Sequence, residues 1–232
     1  MAQIEAAGIP VLVVDYNAQN VEKHVAGTLA LGQATGKAAR AEELAALYQR
    51  EVAEIRRRTE GLPRPKVYVE NGSGGPGKIG NSYSGAMWGS MVGTAGGANI
   101  ADGRIPSGWS PMQPEYVLAA APEHLFILGA SWTSAADAAR AGFGVDEAQA
   151  RGSVAPYRTR PGWDALPAVR SGGLHVIETS QARSLWGWAG MQYMAKAMHP
   201  DRFADVDPVA SLRRYHEQYL PVSFEGCWMA RA

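Results

Sequence analysis

Gly72-Ser-Gly-Gly-Pro-Gly77-Lys78 follows a short β-prone run and reproduces the G-x-x-x-x-G-K spacing of a phosphate-cradling loop. In such a loop successive backbone N–H groups wrap the anion, the lysine reaches its terminal phosphates, and a following Ser or Thr holds magnesium. Here that position is Ile79, and Gly80 to Gly85 continues as loop where a helix should begin. A backbone-exposing surface loop is the better reading. Gly129-Ala130-Ser131-Trp132-Thr133 misses a nucleophile elbow in the same way, because a β-branched Thr133 stands where tight packing needs glycine. His24, His124, His175, His199 and His216 show no HxxxH or HxH spacing, and the single cysteine, Cys227, builds neither a disulfide within the chain nor a cysteine-rich metal site. The sequence nominates no catalytic residue and no metal ligand.

Aromatic side chains beside hydrogen-bond donors offer a different chemistry, the non-covalent holding of a bulky or anionic ligand. Tyr83, Trp109, Trp132 and Trp186 fall in predicted loops or at element boundaries, with Asn81, Ser82, Arg158 and Arg183 as nearby donors. These eight residues are the expected ligand contacts. Arg160 and Tyr157 lie in the same neighbourhood, whereas Trp88 and Trp188 sit inside predicted helices and read as core.

These residues need a scaffold, and the apolar patterning supplies one. Ile9 to Tyr16 is a continuous apolar run, predicted as a buried strand after a helix tail that ends at Gly8. Asn20 caps a predicted helix to about Gly36, and Lys37 to Arg58 forms a second, with Leu44, Leu47, Tyr48, Val52 and Ile55 as its apolar stripe. Strands are predicted at Lys66–Glu70, Leu125–Leu128 and Leu174–Ile177. Helices are predicted at Ala86–Ala95, Pro114–Ala121, Ser184–Met198 and Pro208–Leu220. No element is assigned between Ser134 and Arg160. Strands alternating with helices specify an α/β fold, and ligands in such folds collect at the carboxyl ends of the strands.

Composition narrows the function classes. The 232 residues carry 22 Lys plus Arg against 22 Asp plus Glu, a net charge of zero that argues against a dedicated nucleic-acid binder. Hydrophobic residues at 46% and charged residues at 19% specify a globular chain. No run approaches a membrane span, and the first residues lack the basic start and cleavage site of a secretory signal, so the chain as written reads as unexported and cytoplasmic.

In order along the chain, GIPVLVVDY, PKVYVENG, NSYSGAMWGSMVGTAGGANIADG, SPMQPEYVLAAAPEHLFIL, PGWDALPAVRSGGLHVIET and WAGMQYMAKAMHPDRF resemble the iron-siderophore, haem and cobalamin family of ABC-transporter substrate-binding proteins. The resemblance covers Gly8 to about Leu220. It implies two α/β lobes joined by a long rigid helix, a ligand clamped between them, no covalent chemistry and an extracytoplasmic location. On that plan 1–36 is a remnant of the N-terminal lobe, 37–62 the connecting helix, and 63–232 a Rossmann-like C-terminal lobe with a mostly parallel sheet. Most of the first lobe then lies outside this sequence. The implied ligand is a metal chelate such as a ferric siderophore, haem or cobalamin, or an oxyanion such as molybdate, and the implied partner is an ABC permease. Two rival readings stand beside it: an α/β nucleotide-binding or hydrolase-like enzyme using 72–85, and an isolated lobe that forms a homodimer through its exposed cleft face.

Overall fold

Three apolar runs organise the molecule. In the computed structural model, which describes residues 2–18, 20–105, 108–132 and 135–232, Lys66–Asn71 (β1), His124–Gly129 (β5) and Leu174–Glu178 (β6) lie side by side and parallel. Ala98–Asn99 (β3) extends the sheet beyond β1, and Met229–Arg231 (β7) closes the other edge antiparallel to β6, giving the order β3-β1-β5-β6-β7. Nearly every residue of β1, β5 and β6 is buried, as parallel strands covered on both faces require.

The two-residue period sorts the strand side chains into two cores. Val67, Val69, Phe126, Leu128 and Ile177 face a layer made by Ala38–Thr59 (α3), Trp88–Thr94 (α4), Gly187–Met198 (α8) and Pro208–Tyr219 (α9). Tyr68, Leu125, Ile127, Leu174 and Val176 face Pro114–Ala120 (α5), Glu147–Val154 (α6) and the short helix Pro167–Arg170 (α7). In α3, Tyr48, Val52 and Ile55 are fully buried, and the helix end is tied down by Arg58, which pairs with both Glu54 and Asp205. Among the described residues no helix is long and apolar enough to cross a membrane.

The predicted elements from Asn20 onward stand where the patterning put them. Asn20 caps Val21–Ala34 (α2) by accepting from the Lys23 amide. Ala2–Ala6 (α1) ends before Gly8, whose φ is +75°. The N-terminal run is different: Ile9 to Tyr16 forms no strand, and Ile9, Leu12 and Val13 are exposed. A strand is stable only when a neighbour satisfies its backbone donors and acceptors, and among the described residues no strand lies beside this segment. It instead rests on α2, through Tyr16 Oη to Thr28 Oγ1 at 2.7 Å and His24 Nε2 against the Tyr16 carbonyl at 3.1 Å.

Among the described residues six elements have no counterpart in the patterning: the short β3, β7 and α7, and three that bear on the site and its surroundings. Asn81–Ser84 (β2) and Gly108–Pro111 (β4) pair as a separate antiparallel ribbon inside what reads as loop. Helix α6 begins at a capping box between Asp146 and Gln149 within the unassigned stretch.

Candidate ligand-binding site

The β2/β4 ribbon stands at the carboxyl end of β1, held there by glycine and by a buried ion pair. The chain turns back after β1 so tightly that a Cβ on Gly80 would collide with the Asn71 carbonyl oxygen. Glu70, with no exposed surface, receives the Arg160 guanidinium in two bonds of 2.7 and 2.9 Å and also accepts from the Gly80 amide at 3.0 Å. Arg160 donates further to the carbonyls of Pro76 and Lys78 and lies over the rings of Tyr157 and Trp163, 4.7 and 4.3 Å from their centroids. All three guanidinium nitrogens thus donate, four bonds in all, which is what a buried charge needs. Arg160 is a strut for the glycine-rich loop.

That arrangement is not the geometry of a phosphate-cradling loop, and it does not set His175 beside Ser131. Gly72–Gly74 is a 3-10 turn, and the chain then passes into strand β2, so no helix N-terminus follows Lys78. Ser131 lies beyond the carboxyl end of β5, while His175 pairs with Phe126 near the other end, roughly 16 Å away along the strand. Thr133 lies outside the described residues. Among the described residues no three His, Cys, Asp or Glu side chains come together to hold a metal ion.

Alternation along β2 points Asn81 and Tyr83 one way and Ser82 the other. Asn81, Tyr83, Trp109 and Arg183 line one cavity of about 340 Å³, together with Asn17, Asn71 and Met87. Tyr83 and Trp109 are direct cross-strand partners; the tyrosine ring is buried and the tryptophan is 61% exposed. Asn71 caps the turn by accepting from the Ser73 amide, and its Nδ2 donates to the Tyr83 hydroxyl at 3.3 Å. Burial pushes the Tyr83 hydroxyl pKa up, against the opposing effects of that hydrogen bond and of the nearby Arg183 charge. The ribbon is anchored from below, since Asn99 Nδ2 donates to the Tyr83 carbonyl and to Asp102. A Cβ on Gly89 would come within 2.8 Å of that same carbonyl oxygen, so glycine lets α4 approach the ribbon.

Arg183 reaches the cavity from the 3-10 turn Thr179–Arg183 that follows β6. Glu178 fastens the start of that turn by accepting from the Ser180 amide and hydroxyl, while burial raises its own pKa. Arg183 is exposed and has no ion pair or hydrogen bond among the described residues. An unspent guanidinium, three amides, a phenol and an exposed indole therefore share one wall. Met87 adds a strained backbone, with φ of +48° and its amide bonded to the Asn17 carbonyl.

The other expected contacts lie elsewhere. Ser82 is buried on the far face of β2, its hydroxyl without a partner among the described residues. Trp186 packs on Tyr215 and His216, with ring centroids 5.8 Å away in each case. Arg158 is half-buried in the turn Ala155–Thr159, and Trp132 is half-buried after β5; neither lines this cavity. Sequence reasoning missed Asn17, Asn71 and Met87. Asn71 carried a signal, an amide residue at the carboxyl end of a buried strand just before glycine. A larger hollow of about 1030 Å³ lies between α2, α3 and α4; of its three cations Lys23 and Arg57 are paired with Asp15 and Glu54, and Arg56 is the third.

Comparison with known proteins follows the same lines. A family described as periplasmic binding protein matches residues 2–181. No curated protein sequence matches. Among solved structures, the TroA-like periplasmic binding protein FepB from Veillonella parvula is 34% identical, with a TM-score of 0.91 over 99% of this chain and 67% of that one. The molybdate-bound protein MolA of Haemophilus influenzae is 19% identical, with a TM-score of 0.73 over 97% of this chain and 69% of that one. The haem-binding protein RhuT from Roseiflexus is 21% identical, with a TM-score of 0.66 over 87% of this chain and 71% of that one. The last two likenesses are of fold. The chain spans about two thirds of the length of these structures.

Proposed function

The chain belongs to the periplasmic binding protein family, and from that premise we propose that it serves an ABC importer as the solute-binding component, holding a metal chelate or oxyanion. Iron-siderophore, haem, cobalamin and molybdate are the ligands to be distinguished. The observation that carries the reading is Arg183, an unpaired cation on a wall whose other polar groups are the amides of Asn17, Asn71 and Asn81 and the Tyr83 hydroxyl. A guanidinium with amide donors suits the oxygen atoms of an anion, and the exposed Trp109 ring suits a flat or bulky body. Among the described residues the wall has no carboxylate, thiol or imidazole, so a metal would enter already wrapped in its chelator or as an oxyanion.

In this reading 63–232 is the lobe that carries the wall, 37–62 the stiff connector and 1–36 a part of the opposing lobe. The permease is the protein partner and the setting is extracytoplasmic. Helix α3 suits a connector because its buried stripe and the Arg58–Asp205 pair fix it rigidly to the sheet-bearing body.

Tryptophan fluorescence tests the assignment. Ferric hydroxamate and catecholate chelates, haem, cobalamin, molybdate and ATP are titrated into the purified chain. Saturable quenching by one chelate or oxyanion, lost in Arg183→Ala, is expected. Saturation by ATP alone, or silence of the folded chain across the anionic panel, would overturn the assignment of ligand binding to this wall.

A further inference from the structure

The opposite end of the sheet holds a second cavity, of about 640 Å³, at the amino ends of β5 and β6 and against α8 and the start of α9. Two buried imidazole atoms on its wall have no partner among the described residues, His124 Nδ1 and His175 Nε2. His175 is 4% exposed and stacks on Phe126 at 4.9 Å and on His124 at 6.0 Å. Its Nδ1 lies 2.9 Å from the Tyr193 hydroxyl.

That contact bears on the tautomer. Burial pushes the Tyr193 hydroxyl well up, so it keeps its proton. His175 Nδ1 is the only hydrogen-bond partner of that hydroxyl among the described residues. With the hydroxyl as donor and Nδ1 as acceptor, the ring proton would sit on Nε2. That tautomer leaves a buried N–H without an acceptor among the described residues, a penalty that a bound acceptor would remove.

The surrounding charge selects the sign of that acceptor. Lys196 and Arg231 stand on the wall, donating to the main-chain carbonyls of Val206 and of Ser171 and Gly172, with no carboxylate paired to either. Among the described residues Asp207 is the one acid on the wall, its Oδ1 capping α9, and the Glu123 charge also reaches His124 from beside the cavity. A positive surround repels a metal cation from the two imidazoles and attracts an anion. Ala197, Pro200, Pro208 and Val209 give the wall an apolar part. We propose that this cavity is a second ligand site, independent of the Arg183 wall, for an organic carboxylate with a flat apolar body. The carboxylate accepts from His175 Nε2–H, and Lys196 and Arg231 balance its charge.

The test is a titration of 15N-labelled protein with 2-naphthoate, read by long-range 1H–15N correlation of the imidazole rings and by calorimetry. The free protein is expected to show His175 protonated at Nε2 only. Naphthoate should then saturate at one equivalent and shift that resonance. His175→Phe, which keeps the ring packing, should weaken binding at least tenfold, and Tyr193→Phe, which frees the tautomer, should weaken it also. Arg183→Ala should leave it unchanged, which separates this site from the other. A proton on Nδ1, no saturation at millimolar naphthoate, binding indifferent to the folded variants, or Zn2+ taking the imidazoles in place of naphthoate would each overturn the proposal.

Discussion

Glu70 and Arg160 form a two-bond ion pair with almost no exposed surface, although they are 90 residues apart in the chain. The same guanidinium holds the Pro76 and Lys78 carbonyls, so one side chain joins the sheet to the loop that leads into β2 and Tyr83. Removing either partner strands a charge in the interior. Arg160→Ala or Glu70→Ala is expected to cost about 3–5 kcal/mol. Arg160→Lys should recover little, because an ammonium offers neither the fork nor the stacking face. Urea denaturation of the variants measures the loss.

Arg183 makes the opposite case, since it has no partner among the described residues to lose. Arg183→Ala should change stability by less than about 0.5 kcal/mol, as for surface substitutions away from packed features, and should weaken anion binding by roughly tenfold or more, the loss of a charge-assisted contact. Parallel urea and fluorescence titrations read the two effects. A variant that loses stability and keeps affinity would remove Arg183 from the site.

Trp109 is the exposed member of a cross-strand pair whose buried member is Tyr83. Trp109→Ala is expected to abolish most ligand-induced quenching while leaving the unfolding midpoint near that of the parent. Tyr83→Phe removes the hydroxyl that Asn71 donates to and should weaken binding with a loss of about 1 kcal/mol in stability. Calorimetry with the ligand that saturates the parent protein distinguishes the two.

Gly89→Ala tests how closely α4 must approach the ribbon. The added Cβ would meet the backbone of Tyr83 and Ser84 at 2.8 to 3.0 Å, where no flexible side chain can yield. The expected cost is about 1–3 kcal/mol, the range for overpacking, with weakened ligand binding because Tyr83 is displaced. Thermal unfolding and a binding titration check both.

His175 gives the protein an acid-side weakness. Burial lowers its pKa to about 3 from the ordinary 6.5, with His124 and Arg231 acting in the same sense. Between those values the unfolded chain binds the proton and the folded one does not, so stability is full above about 6.5 and falls as pH drops toward 3. From pH 6.5 to pH 5 one such group removes about 2 kcal/mol. Glu178, whose pKa burial raises, acts in the opposite direction, so the informative quantity is the parent minus His175→Phe. Urea midpoints at pH 6.5 and pH 5 should show a smaller drop in the variant.

The sequence by itself determined the scaffold wherever a signal was local. Asn20 announced α2, the three- and four-residue spacing of Tyr48, Val52 and Ile55 announced α3, and the apolar runs of β1, β5 and β6 announced strands buried on both faces. It also nominated Asn81, Tyr83, Trp109 and Arg183. Only the tertiary structure decided that these four share a wall, because two of them meet across the β2/β4 register and the fourth arrives from beyond β6. The same non-local causes explain the misses. The apolar residues from Ile9 to Tyr16 have the composition of a strand, but strand formation belongs to a pair, and no neighbour stands beside them among the described residues. Arg158, Arg160 and Arg183 are alike as residue types. One is half-buried in a turn, one is fully engaged by Glu70, and one is left with its charge unspent, a difference set by the acceptors that folding brings within reach.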